Sequence, residues 1–161
     1  MESAYPRAKL HVEVYIRVVQ GLTLPSSIVL KVRKALYSLK QSRREWYIEA
    51  CNGLAKLGLT PSFSDPSVFT NTDKTLIIGL YVDDLLILGR SLGAVSAFKE
   101  QFGKMYKIND IGEIRTFLGL EVTRDRASRT LTISQKSYAL KLVNKYLGGS
   151  DRTDPTPIGG I

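Results

Sequence analysis

The chain has 161 residues, 43% of them hydrophobic, with a formal net charge of +8 and a single cysteine. That length suits one domain and that apolar content can build a core, which excludes disorder along the whole chain. Cys51 alone excludes an internal disulfide framework, no apolar run is long enough to span a bilayer, and the N-terminus lacks a signal-peptide core; the expectation is a soluble intracellular protein, cytoplasmic or nuclear, in a reducing compartment and without a membrane partner.

From the N-terminus, Val12-Glu13-Val14-Tyr15-Ile16 predicts a strand, Gly21 to Ser27 a loop and Ile28 to Val32 a short strand. Between Arg43 and Leu57, the residues Trp46, Ala50, Leu54 and Leu57 recur at helical spacing, and Gly58 stands where a helix would end. Pro61 to Pro66 reads as a loop, Val68-Phe69 as a strand and Asn71-Thr72-Asp73 as a turn. The runs Leu76-Ile77-Ile78-Gly79-Leu80 and Leu85-Leu86-Ile87-Leu88 have the length and content of buried strands. Ser91 can cap a helix with Val95, Phe98, Phe102 and Met105 on one face. A second hairpin is expected from about Arg115 to Thr123 and Thr130 to Ser134, with Arg124 to Arg129 at its tip. Ser134 then caps a helix with Tyr138, Leu142, Val143 and Tyr146 inward, ended by Gly148-Gly149. The tail from Ser150 carries Pro155, Pro157 and glycines and is expected to be mobile. The order helix, hairpin, helix, hairpin, helix predicts an α+β fold of antiparallel strands with helices on one face.

Chemistry concentrates in Tyr81-Val82-Asp83-Asp84, where two adjacent acids lie between two apolar strands. An acid at the rim of a core must stay wet, find a partner or bind a metal, because burying it unpaired is costly. Two acids together also repel unless a cation neutralises them. Three readings remain open from the residues alone. One is a structural hairpin turn, since Asp is common in turns. Another is a phosphoacceptor receiver, which needs a helix directly after the acids. The last is a polymerase palm, in which a hairpin presents carboxylates to two Mg²⁺ ions. The charge favours a polyanionic partner. Lys31, Arg33, Lys34, Lys40, Arg43 and Arg44 form one basic zone, interleaved with Tyr37, Trp46 and Tyr47. Arg124, Arg126, Arg129, Lys136, Lys141 and Lys145 form another. Contacts to phosphate, with stacking on sugar or base, follow from such a mixture. Trp46 reads as core more readily than as a stacking platform, Cys51 reads as inert, and His11 has no partner in sequence.

Tyr-x-Asp-Asp between apolar strands resembles the reverse-transcriptase active-site motif. Other stretches agree with it in order. Leu30 to Gln41, followed by Trp46-Tyr47, is similar to a block of copia-type (Pseudoviridae) retrotransposon reverse transcriptases. So are Leu57-Gly58-Leu59 with Ser64 to Phe69, Asp110-Ile111-Gly112-Glu113 with Phe117 to Val122, and Ile133 to Tyr138 with Thr156-Pro157. The resemblance implies a palm-like antiparallel sheet over residues 1–149 with the start of a thumb, then a flexible tail over 150–161. It implies Asp83 and Asp84 as catalytic ligands of Mg²⁺. Tyr37, Ser38, Lys40, Gln41 and Tyr81 would line the nucleotide or template path, and Phe117-Leu118-Gly119 would form the primer grip. Template-primer RNA or DNA would be the partner.

The family also uses a third carboxylate, in a pattern of Asp, Val, two variable residues, a small residue and an aromatic. Glu2-Ser3-Ala4-Tyr5 matches its last four positions, with Met1 in place of Val. The expectation is a palm fragment without its first Asp, its fingers and most of its thumb. Such a fragment would be inactive alone and would bind Mg²⁺ weakly or not at all; Glu2 is a poor substitute for the Asp. Missing elements would expose sheet edge and apolar surface, which invites a homodimer. A non-enzymatic nucleic-acid-binding or self-associating derivative is the alternative. Ser38 stands where the family usually has Gly, and Arg43 where it often has Pro.

Overall fold

The computed structural model describes residues 4–25 and 27–148. Glu2, the possible substitute carboxylate, and the tail from Ser150 lie outside the described residues. The chain divides into two compact units, Met1–Asp110 and Ile111–Ile161. Both mix helix with antiparallel sheet, the class the residue pattern predicts.

In the first unit, a 3₁₀ turn at Tyr5–Arg7 leads into β1 (Lys9–Arg17), which pairs antiparallel with β2 (Val29–Lys34). Helix α1 (Ser42–Lys56) follows. It buries Trp46, Ala50 and Leu54, spaced four apart so that they share one face. It stops at Gly58, whose φ of +75° is the left-handed conformation that ends helices; the Gly58 amide donates to the Ala55 carbonyl at 3.0 Å. Next come β3 (Leu59–Pro61), β4 (Val68–Asn71), β5 (Leu76–Tyr81) and β6 (Asp84–Gly89), side by side in that order as one antiparallel sheet. β3 corrects the expectation that Pro61 opens a loop. Leu59 is buried and starts an edge strand, and Pro61 is tolerated at a sheet edge because its missing amide breaks no interior ladder. Helix α2 (Leu92–Met105) starts at Ser91, whose hydroxyl accepts the Ala94 amide at 3.2 Å.

The pleat sorts the sheet into two faces. Phe69 lies opposite Ile78, Ile78 opposite Ile87, and Leu80 opposite Leu85. These side chains join Trp46 and Leu54 of α1 and Phe98 and Phe102 of α2 in one core. Each large apolar side chain buried there contributes about 1.5–3 kcal/mol. Tyr106, just past α2, packs edge-on against Trp46 with centroids 5.8 Å apart. Its phenol donates to the Glu49 carbonyl at 3.2 Å. The close approach needs Gly53, where a Cβ would lie 2.3 Å from the phenol oxygen. On the other face, Ile77, Tyr81 and Leu88 are exposed. The register places Tyr81 and Asp84 on that open side.

The second unit holds β7 (Thr116–Phe117), β8 (Leu120–Asp125) and β9 (Thr130–Ser134) as a three-stranded antiparallel sheet, then α3 (Lys136–Leu147). The expected continuous strand from Arg115 to Thr123 is broken. Leu118 and Gly119 have φ of +51° and +81°, so they form a two-residue turn that folds β7 back on β8. Ser134 lies one residue ahead of the cap position, and its hydroxyl accepts the Lys136 amide at 3.1 Å. The inward face expected of α3 is also corrected, since Tyr138, Leu142, Val143 and Tyr146 are exposed. Periodicity shows which residues share a face and says nothing of what covers it. Among the described residues, no helix is long and apolar enough to cross a membrane.

Candidate functional site

β5 and β6 form a two-residue hairpin. Tyr81 pairs with Asp84, which leaves Val82 and Asp83 as the turn itself. Val82 has φ +49°. A positive φ at the first central residue alone is the type II′ pattern, which suits the twist of a hairpin. For a β-branched residue it is strained, and strain of this kind collects at functional sites. Two apolar strands thus push a pair of acids to the tip. Asp83 is half-buried, whereas Asp84 is exposed on the open face beside Tyr81. An antiparallel strand follows the acids at once, so the receiver arrangement, which needs a helix there, does not apply.

Two aromatic side chains hold the tip. Trp46, 2% exposed, donates its indole Nε1–H to the Val82 carbonyl at 2.8 Å. The sequence reading of Trp46 as a core residue holds, and its polar edge adds a tether to the turn. The Tyr37 hydroxyl donates to Asp83 Oδ2 at 2.6 Å. That hydrogen bond, ahead of a modest desolvation, pushes the Tyr37 phenol up to about 12, because losing its proton would set a second anion beside the carboxylate. The Tyr37 ring in turn lies against Tyr5, with centroids 4.5 Å apart.

Tyr37 sits in the loop between β2 and α1 together with Ser38, Lys40 and Gln41. Ser38 has φ +72°, a left-handed conformation suited to Gly. Lys40 is exposed, and Gln41 is the cap residue immediately ahead of α1. Within this predicted set, Tyr37 is bonded to the acid pair through Asp83. Phe117, Leu118 and Gly119 fall in the second unit, as the β7–β8 turn and the residue before it. Sequence reasoning misses Tyr5 as a support for Tyr37, and it gives His11 no partner. His11 Nδ1 lies 2.5 Å from Glu45 Oε2, a buried carboxylate on α1. No local spacing signals either contact.

Two carboxylates offer only oxygen donors, which suits a hard cation such as Mg²⁺. Among the described residues, no group of three or more His, Cys, Asp or Glu side chains is placed to hold a metal. The basic residues of the first zone are exposed. On one face of the β1–β2 ribbon, Arg17, Lys31 and Arg33 accompany Tyr15, with Lys31 Nζ 5.8 Å from the Tyr15 ring centroid and paired with Glu13.

A family model described as reverse transcriptase (RNA-dependent DNA polymerase) matches residues 1–158. The chain is similar to the retrovirus-related Pol polyprotein from transposon TNT 1-94 of Nicotiana tabacum, with 28% identity over 99% of this chain and 12% of that protein. It is similar to the Pol polyprotein from transposon RE1 of Arabidopsis thaliana, with 38% identity over 83% of this chain and 10% of that protein. A putative transposon Ty5-1 protein of Saccharomyces cerevisiae is 23% identical over 98% of this chain and 52% of its own length. The chain therefore spans about a tenth of the two plant polyproteins. No solved structure matches. With a family match across nearly its whole length and retrotransposon polyproteins as relatives, the chain belongs to the copia-type retrotransposon reverse transcriptases.

Proposed function

We propose that this chain supplies the palm hairpin of an RNA-directed DNA polymerase, with Asp83 and Asp84 as two of its metal-holding carboxylates. The observation that carries the reading is the acid pair at the tip of a two-residue hairpin, fixed by Trp46 and bonded by Tyr37. The oxygen-only donor set fits Mg²⁺, which typically takes one or two protein carboxylates and completes its shell with substrate phosphates and water. Bound there, Mg²⁺ would activate a primer 3′-hydroxyl and neutralise the triphosphate.

The chain's own residues orient the reactants. Asp83 and Asp84 fix the cation's place relative to the sheet. Tyr81, opposite Asp84 on the open face, presents its ring to the nucleotide or primer. Tyr37, Ser38, Lys40 and Gln41 border the nucleotide path, and the Phe117-Leu118-Gly119 turn grips the primer. Exposed arginines and lysines hold the template-primer backbone.

Two carboxylates leave a two-metal site incomplete, so the 161-residue polypeptide alone should extend a primer negligibly with Mg²⁺ or Mn²⁺. Placing the family's first acid-bearing strand ahead of Met1 should give measurable extension. Asp83→Asn should then lower the rate by a factor of about 100 or more. Extension that survives Asp83→Asn would remove the acid from catalysis. A second reading, nucleic-acid binding without polymerisation, is favoured by the Arg17-Lys31-Arg33-Tyr15 face. It gains ground if binding persists while the extended polypeptide stays inactive.

A further inference from the structure

We infer that Tyr37 is a latch on Asp83: its phenol occupies a carboxylate oxygen that a divalent cation needs, so the cation must displace it to bind. The inference rests on the reading of Asp83 as a metal ligand and adds how access to it is controlled. An O–H···O⁻ contact of 2.6 Å is a charge-assisted bond, stronger than a neutral one. Asp83 Oδ1 is shielded from solvent in the same arrangement. Asp84, by contrast, is exposed.

Both sides of the latch are anchored. On the tyrosine side, the Ser42 hydroxyl accepts the Leu36 amide at 3.1 Å and the Ser42 amide donates to the Leu39 carbonyl at 3.1 Å, closing the loop around Tyr37. The Tyr37 ring also rests on Tyr5. On the hairpin side, Trp46 fixes the Val82 carbonyl, one residue before Asp83. The contact therefore joins two fixed loops that lie 46 residues apart in sequence. Mg²⁺ and Mn²⁺ need close, well-directed oxygen ligands, and a donated phenol proton competes for the same lone pairs. Tyr37 is a positioning residue in this scheme, because it acts through Asp83.

The test is a titration of the 161-residue chain with Mn²⁺ alone, following free Mn²⁺ by electron paramagnetic resonance at neutral pH. Tyr37→Phe keeps the ring against Tyr5 and removes the donor. It should bind Mn²⁺ more tightly than the parent chain by about tenfold or more, the order expected when a competing hydrogen bond to a charged group is removed. The gain should vanish when Tyr37→Phe is combined with Asp83→Asn. As a second measurement on the unaltered chain, Mn²⁺ should shift a tyrosine ultraviolet signal that Tyr37→Phe lacks. Equal or weaker binding by Tyr37→Phe overturns the latch, as does a gain that survives Asp83→Asn. Failure of the underlying metal reading looks different: Asp83→Asn by itself would then leave Mn²⁺ affinity unchanged, and the latch would fall with it.

Discussion

Ser38 occupies φ +72° beside the tyrosine that holds Asp83. An L-residue in the left-handed region is disfavoured by about 1–2 kcal/mol, because its Cβ crowds the following carbonyl. Glycine escapes that clash, but it makes the unfolded chain more flexible by about 0.5–1 kcal/mol. The clash outweighs the added flexibility, so Ser38→Gly should stabilise the fold by up to about 1 kcal/mol. Chemical denaturation would read this as a higher midpoint at unchanged slope. A lower midpoint would show that the serine side chain makes a stabilising contact outweighing the strain. Val82 has a similar φ of +49°, yet the same substitution there carries no such expectation, because Val82 packs against the core and glycine would lose that burial. The glycine that the resemblance leads one to expect at the Ser38 position would thus have a backbone cause in this structure.

The β5–β6 hairpin depends on α1 through one side chain. Trp46→Phe would keep an aromatic ring in the core but remove the Nε1–H donor, leaving the Val82 carbonyl without it. Losing one partner of such a bond costs about 1–3 kcal/mol, more than the net value of the bond. The expected result is a stability loss in that range, with faster amide exchange at the hairpin tip than at the far ends of β5 and β6. Uniform exchange along the hairpin would show that the indole acts by packing alone. Much of this scale is legible in the residues. β5, β6, α1 and α2 follow from apolar runs, helical spacing and the caps at Ser91 and Gly58. β3 is not, because Leu59-Thr60-Pro61 is too short for periodicity and ends in proline. The break at Leu118 is not, because leucine carries no turn chemistry, although Gly119 does mark a bend. The acid pair is visible as a hairpin tip. Its supports are not, since Trp46 meets Val82 across 36 positions and Tyr37 meets Asp83 across 46, and local pattern does not report such distances.

At the scale of the molecule, apolar burial is distributed unevenly. Every fully buried apolar side chain among the described residues lies at or before Tyr106. From Ile111 to Gly148 there is none, while Leu131, Ile133, Tyr138, Leu140 and Tyr146 are each at least half exposed. A helix of 12 residues is marginal in water without tertiary packing, and short strands need a covered face to persist. Stability should therefore differ sharply between the two units. In hydrogen exchange followed by mass spectrometry, amides of α1, β5 and α2 should exchange only through global opening. Those of β7, β8, β9 and α3 should exchange through local opening, faster by a factor of about 100 or more, which corresponds to roughly 3 kcal/mol of missing burial. The same peptides should be the first cut by a protease at low concentration, with fragments ending near Asp110. Equal protection in both units would mean that the exposed apolar residues of β9 and α3 are covered in solution, as a second copy of the chain would cover them. A concentration series separates the cases: protection from a second copy falls on dilution, whereas protection intrinsic to the unit does not.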